Sequence, residues 1–139
     1  MTNAKAQHAV QTTGRDACIF CALRDDARVI MRNALTFAVR DTTPVTPLHT
    51  LVLPFRHAET YFDLTDDELG AANDLLRRLR DDITKADASV EGFNIGANVG
   101  VVSGQSIFHC HIHLIPRRKG DIDNPHGGVR AVIPDKMRY

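Results

Sequence analysis

The chain has 139 residues, 43% of them hydrophobic, and its 17 basic and 17 acidic side chains leave no formal net charge. This composition fits one globular domain, excludes wholesale disorder, and argues against a nucleic-acid partner. Residues 1–15 lack the apolar core of a signal peptide and no run is long enough to span a bilayer, which predicts a polar tail, no membrane partner and a cytoplasmic location.

The first half of the chain predicts three strands and one helix. Apolar runs at 27–31 and 35–40 predict a β-hairpin, and the unbroken apolar run 51–53 predicts a strand buried on both faces. Thr65 and Glu68 form a capping-box pattern at the start of a helix over 66–85. The stripe expected to face a sheet comprises Leu69, Ala72, Leu76, Leu79 and Ile83.

The second half predicts two more strands, at 93–97 and 107–116, joined by a glycine-rich loop at 98–106 that suits a close approach to a ligand. Together these elements predict an α+β fold, with a mostly antiparallel five-stranded sheet and one long helix in a single domain.

Three histidines alternate in the run His109-Cys110-His111-Ile112-His113 within the fifth strand. Because strand side chains alternate between faces, the three imidazoles share one face and the residues between them can enter the core. Two chemistries fit such a row. Neutral imidazole is a common metal ligand, and an unprotonated imidazole can also attack phosphorus.

The segment 104–115 resembles the signature of the histidine triad (HIT) family, His-x-His-x-His followed by two apolar residues. Residues 44–57 resemble the family's second block and residues 62–69 its helix start, so the resemblance implies a HIT domain with a HIT-like fold over 16–121. It further implies an enzyme that hydrolyses or transfers a nucleotide at its α-phosphate through a nucleotidyl-histidine intermediate. The resemblance also implies that this enzyme is a homodimer. Residues 122–139 form a C-terminal extension without an assigned role.

The resemblance also assigns roles position by position. His111 matches the nucleophile, and His113 matches a histidine that contacts the α-phosphate and assists proton delivery. The other implied catalytic residues are Ser106, beside the leaving group, and His49, a buried supporting histidine. The implied substrate-binding residues are Asp41 at the ribose, and Asn98, Gln105, Ser106 and His113 at the phosphate. Taken alone, Asp41 could be a turn residue, Asn98 a strand-end cap, and Gln105 and Ser106 ordinary loop residues.

Cys18 and Cys21 form a Cys-x-x-Cys pair, which alone could be two small hydrophobes or a redox pair. In members of the HIT superfamily with such a pair, a structural zinc ion is bound. The resemblance implies the same Zn²⁺ cofactor here, with a closed set of ligands: Cys18, Cys21, His57 and His109. The alternative is that both thiols are reduced and unliganded. His8 and His126 are expected to be surface residues without a role.

Residues 115–121 resemble the fragile-histidine-triad and dinucleoside polyphosphate side of the family. This implies a substrate such as diadenosine tetraphosphate, with an accompanying divalent cation. The basic residues 117–119 would lie beside the polyphosphate or form a solvated turn. A nucleoside phosphoramidase and a non-catalytic nucleotide sensor remain alternative functions.

Leu48 stands where the family usually has glycine, which predicts a backbone there that avoids positive φ.

Overall fold

The computed structural model describes residues 17–139, so the predicted tail and His8 lie outside the described residues. One antiparallel sheet has the order β1-β2-β3-β5-β4, and one α-helix is present in the described part of the chain. The bounds are β1 Val29–Arg32, β2 Thr36–Arg40, β3 Thr50–Pro54, α1 Asp66–Ala86, β4 Val90–Gly96 and β5 Ile112–Arg118. The predicted α+β architecture is confirmed, with β4 beginning three residues before its predicted start.

Helix α1 begins at the predicted capping box. The Thr65 hydroxyl accepts a hydrogen bond from the Glu68 amide at 3.1 Å, and the Glu68 carboxylate accepts one from the Thr65 amide at 2.9 Å. These two bonds satisfy backbone donors that the first helical turn leaves free. Leu75 is fully buried although the predicted stripe omitted it, whereas Leu76 is only partly buried. Among residues 17–139, no helix combines the length and apolarity needed to cross a membrane.

The sheet separates two hydrophobic clusters, which explains why all five residues of β3 are buried. On one face, Val52 packs with the buried side of α1. On the other face, Phe37 and Leu53 pack against a short N-terminal segment that contributes Phe20 and Leu23. The N-terminal cysteine pair is thereby brought to the face of the sheet opposite α1.

Strand β5 begins at Ile112 and ends at Arg118, so the prediction of a strand over 107–116 was wrong at both ends. Before Ile112, the backbone groups form hydrogen bonds with a side chain and a loop instead of with a neighbouring strand. The Gln105 side-chain amide donates to the Ile107 carbonyl at 3.1 Å, and the Cys110 amide donates to the Ala58 carbonyl at 2.7 Å. The alternation of side chains nevertheless holds, because Cys110 and Ile112 pack in the core with α1.

The backbone at Leu48 contradicts the sequence-based prediction, because its φ is +70°. The following residue, His49, donates its amide hydrogen to the Thr46 carbonyl at 3.1 Å, which closes a tight turn. The Leu48 carbonyl accepts a hydrogen bond from the Thr50 hydroxyl at 2.8 Å, and its side chain packs against the core. These contacts offset the steric cost that a non-glycine residue carries in this region.

Candidate functional site

Four side chains from three separate segments converge on the face of the sheet opposite α1. We call them the thiol cluster: Cys18, Cys21, His57 and His109. The Nδ1 atom of His109 lies 3.5 Å from Cys18 Sγ and 3.4 Å from Cys21 Sγ. Cys21 Sγ also lies 3.3 Å from His57 Nδ1, and the four ligand atoms all lie within 4.8 Å of one another. The thiol cluster is therefore positioned to bind a metal ion.

The chemical state of His109 suits that role. Its Nε2 lies 2.8 Å from the Pro54 carbonyl oxygen, which can only accept, so Nε2 carries the hydrogen and Nδ1 presents its lone pair to the thiols. Burial lowers the pKa of His109 to about 4, which keeps the ring neutral. Two thiolates and two neutral imidazoles form the donor set of a closed, four-coordinate structural zinc site. The residues present thus fit the implied ion.

The next histidine along the chain is oriented by the backbone of the thiol cluster. The Nδ1 atom of His111 lies 2.9 Å from the carbonyl oxygen of His109, so Nδ1–H donates and the Nε2 lone pair stays available. Phe20 lies between the two cysteines in sequence, and its ring meets that of His111 in an edge-to-face arrangement with centroids 5.0 Å apart. The ring of His111 is thus held by a hydrogen bond and an aromatic contact, and in the neutral ring Nε2 is the nitrogen without a hydrogen.

A second pair of histidines, His49 and His113, forms what we call the imidazole relay. The Val45 amide donates to His49 Nδ1 at 3.0 Å, so the neutral His49 ring carries its hydrogen on Nε2. That Nε2–H points to His113 Nδ1 at 2.9 Å, which leaves the hydrogen of His113 on its own Nε2. Burial, followed by the neighbouring His111 and His49, lowers the pKa of His113 to about 4. His113 is therefore a neutral hydrogen-bond donor.

Asp41 lies beside the imidazole relay but is not bonded to it. One carboxylate oxygen is 3.6 Å from His49 Nε2, and the other accepts from the Thr43 amide at 2.8 Å in a local turn. Asp41, His49 and His113 lie close enough to share a metal ion. However, the Val45 amide occupies the Nδ1 lone pair of His49 and forces the hydrogen onto Nε2, which is the wrong tautomer for a metal ligand. Asp41 therefore does stabilise a local turn, which was one of its two predicted roles. Its contact with a ribose stays a prediction.

Gln105 has a different role from the predicted phosphate contact. Its side chain is buried, and its oxygen accepts from the Gly100 amide at 2.9 Å. Its two amide hydrogens donate to the carbonyls of Glu59, at 2.7 Å, and Ile107, at 3.1 Å. Because both donors are used within the chain, the side chain fixes the loop and the backbone before β5. This correction could not come from sequence, since the Glu59 carbonyl is remote along the chain.

The other predicted substrate residues are accessible to solvent, whereas the basic residues after them form ion pairs within the chain. Asn98 and Ser106 are exposed, and Asp41 is half-buried. Arg117 forms an ion pair with Asp121 at 2.8 Å, and Arg118 forms one with Asp87 at 2.9 Å. The guanidinium groups therefore brace the end of β5, which favours the structural reading of this basic segment over a polyphosphate contact. His126 is exposed as predicted, although its ring lies 4.7 Å from that of Tyr139.

Two groups that shape the site were not predicted from the sequence. Phe20 contacts the ring of His111, and the signal for it was its place inside the Cys-x-x-Cys pair. The Val45 amide determines which nitrogen of His49 carries the hydrogen. No residue type marks a backbone donor, so this second group had no sequence signal.

Comparison with known proteins gives consistent matches. Residues 23–120 match the model of the HIT domain. The chain is 33% identical over 109 residues to an uncharacterized HIT-like protein of Saccharolobus solfataricus, covering 76% of this chain and 78% of that protein. It is 37% identical over 95 residues to the bis(5′-nucleosyl)-tetraphosphatase (asymmetrical) of Schizosaccharomyces pombe, covering 68% of this chain and 52% of that enzyme.

A solved structure extends the match to three dimensions. The crystal structure of a Zn-bound histidine triad family protein from Mycobacterium smegmatis superposes with a TM-score of 0.69 at 31% identity. The alignment covers 78% of this chain and 80% of that protein. The similarity therefore includes most of the described sheet and helix.

Proposed function

Because the chain belongs to the HIT domain family, we propose that it is a nucleotide hydrolase or nucleotidyl transferase that acts at the α-phosphate through His111. One observation carries this proposal. The His109 carbonyl holds the hydrogen of His111 on Nδ1, so Nε2 has a free lone pair beside a neutral donor, His113, whose ring centroid is 5.2 Å away. A nucleophile and a hydrogen-bond donor for the attacked group are thus side by side.

The reaction has two displacements. In the first, the lone pair of His111 Nε2 forms a bond to the α-phosphorus, and the bond from phosphorus to the leaving-group oxygen breaks with its electron pair. In the second, an oxygen of water or phosphate attacks the same phosphorus, the nitrogen–phosphorus bond returns its electron pair to His111, and the proton of an attacking water passes to the solvent. His113 Nε2–H stabilises charge on the phosphoryl oxygens. Since the pKa of His113 is about 4, we assign it a hydrogen bond rather than proton delivery.

The substrate class that we propose is a dinucleoside polyphosphate such as diadenosine tetraphosphate, accompanied by a divalent cation. The resemblance at residues 115–121 and the name of the Schizosaccharomyces pombe relative support this choice. Among the predicted contacts, the exposed Ser106 and Asn98 and the half-buried Asp41 are free to reach such a substrate. We propose Ser106 beside the leaving group, Asn98 beside the phosphate and Asp41 at the ribose.

We further propose that the ion of the thiol cluster is Zn²⁺. Its sulfur and imidazole donors and the Zn-bound Mycobacterium smegmatis structure support this identity. When bound, zinc supplies a fixed cross-link and no step of the reaction. The ion would tie the N-terminal segment to His57 and to the backbone that orients His111.

We also propose a homodimer in the cytoplasm, with one HIT domain over residues 16–121 followed by an extension. The edge strand β4 supports the dimer, because Ile95 is 54% exposed and lines one surface pocket with the partly buried Phe93 and Leu76. An unpaired sheet edge with apolar neighbours is suited to pairing with a second copy. Analytical ultracentrifugation of the full chain tests this state, and a monomer at micromolar concentration would contradict it.

The activity is tested with diadenosine tetraphosphate and an adenosine phosphoramidate, each incubated with the wild type, His111→Ala and His126→Ala. We expect turnover of the tetraphosphate by the wild type and by His126→Ala, which removes an exposed histidine. We expect none by His111→Ala, a loss of at least about 10⁴-fold. Acid quenching and mass spectrometry should find one nucleotidyl group on the peptide that contains His111.

Two other outcomes would replace the proposed activity, and a third would replace its nucleophile. Turnover of the phosphoramidate alone would indicate a nucleoside phosphoramidase. Nucleotide binding by the wild type without turnover of either compound would indicate a sensor. Turnover by His111→Ala at the wild-type rate would show that another residue is the nucleophile.

A further inference from the structure

Leu48 is the one non-glycine residue with positive φ among residues 17–139. Side chains of L-amino acids rarely adopt its φ of +70°, because Cβ comes too close to the backbone. Such a conformation persists only where the surrounding structure holds it. Leu48 immediately precedes His49, the first ring of the imidazole relay, so whatever holds Leu48 also affects that ring.

Two neighbouring side chains hold the Leu48 carbonyl. The Thr50 hydroxyl donates to it at 2.8 Å, and Arg40 Nη1 donates to it at 3.4 Å and also to the Thr50 hydroxyl. Arg40 and Thr50 are direct partners across β2 and β3. Thr50 is fully buried and Arg40 is half-buried, so water cannot readily replace these donors. Burial lowers the pKa of Arg40, and the charge of Asp82 on α1 opposes that shift.

The ring of His49 is sensitive to a rotation of the backbone at residue 48. It lies between the Val45 amide, 3.0 Å from Nδ1, and His113 Nδ1, 2.9 Å from Nε2. Both bonds must form together for the hydrogen of His113 to stay on Nε2. If Leu48 relaxed to negative φ, the peptide unit between residues 48 and 49 would turn, and the ring could not keep both partners.

We propose that Arg40 is a positioning residue: with Thr50 it holds Leu48 in the left-handed conformation and so keeps His49 bonded to His113. The effect on turnover rests on the proposed function, but the effect on the two imidazole rings does not. Arg40 touches neither the reacting atoms nor His113, and acts through the Leu48 carbonyl.

The test is a double-mutant cycle between Arg40→Met and Leu48→Gly. Methionine keeps the apolar stem of Arg40 and removes its donors, while glycine adopts positive φ without the steric cost. We expect Arg40→Met to lower kcat about tenfold with KM changed less than twofold, because His113 loses its fixed tautomer. In the Leu48→Gly background, the same substitution should lower kcat less than twofold, since the left-handed conformation no longer needs the anchor.

Nitrogen-15 NMR of the imidazole rings gives a readout that does not depend on turnover. In the wild type, His49 and His113 should each show one protonated Nε2 and one bare Nδ1. Arg40→Met should shift both rings toward a mixture of tautomers, and Leu48→Gly should reverse the shift. If Arg40→Met does not fold, Arg40→Lys keeps the charge opposite Asp82 without the guanidinium fork and should show the same coupling at about threefold in kcat.

Equal losses from Arg40→Met in both backgrounds would overturn the proposal, because the two residues would then act independently. Unchanged ring signals in Arg40→Met would also overturn it. Ring signals that shift and recover as expected, in a wild type that turns over no nucleotide, would uphold the positioning role and contradict the proposed function instead.

Discussion

The thiol cluster and the imidazole relay show how one residue type is given two chemistries by the backbone. In the thiol cluster, the Pro54 carbonyl accepts from His109 Nε2, which leaves Nδ1 bare toward two sulfur atoms. In the imidazole relay, the Val45 amide donates to His49 Nδ1, which places the hydrogen on Nε2. A carbonyl thus prepares a metal ligand and an amide prepares a hydrogen-bond donor, although the rings themselves are alike.

If this comparison holds, loss of the ion should affect stability far more than any change in the imidazole relay. We expect chelation of the ion, or Cys18→Ser, to lower the free energy of unfolding by about 4 kcal/mol. The N-terminal segment then loses its cross-link through the ion and keeps only the packing of Phe20 and Leu23 on the sheet, and the buried donors of the thiol cluster lose their partner. Thermal unfolding followed by circular dichroism, with metal content measured in parallel, checks this expectation.

A matched comparison isolates the ion from the serine substitution. Chelator should lower the melting temperature of the wild type to that of Cys18→Ser and should not lower that of the variant further. Equal melting temperatures for the wild type with and without chelator would mean that the thiol cluster needs no ion for stability.

The imidazole relay should show the opposite behaviour, with a large effect on turnover and a small one on stability. His113→Ala removes the Nε2–H donor and should lower kcat about 10²-fold, the usual loss for one donor to a developing oxyanion. Metal content should stay at the wild-type level, because His113 is not in the thiol cluster. A loss of bound metal in this variant would show that the two regions are not separable.

Elements that depend on local sequence could be predicted, and contacts with remote backbone could not. Helix α1, the hairpin and the doubly buried β3 follow from periodicity and capping, which are local properties. The ligand set of the thiol cluster came from the resemblance to zinc-binding HIT proteins, because Cys18 and Cys21 alone could equally be small hydrophobes or a redox pair. The late start of β5, the positive φ of Leu48 and the structural role of Gln105 each depend on hydrogen bonds to backbone that is remote or irregular. Residue types do not encode such partners.

The smallest expected effect is a dependence of stability on pH that belongs to the imidazole relay. His113 has a pKa of about 4 in the folded chain and about 6.5 when unfolded. Between these values the unfolded chain binds the proton and the folded chain does not, so stability rises with pH, is complete above about pH 6.5, and is lost toward pH 4. Burial also lowers the pKa of His49, against the opposing charge of Asp41, so its contribution has the same sign.

His113→Asn separates this contribution from that of the thiol cluster, which acid also weakens by protonating the sulfur ligands. From pH 7 to pH 5, the wild type should lose about 2 kcal/mol more free energy of unfolding than the variant, because the variant lacks the imidazole that takes up a proton on unfolding. Urea titrations at each pH measure this difference. If the free energy of unfolding depended on pH equally in the two proteins, His113 would have the same pKa in the folded and unfolded states. That result would contradict its role as a neutral donor.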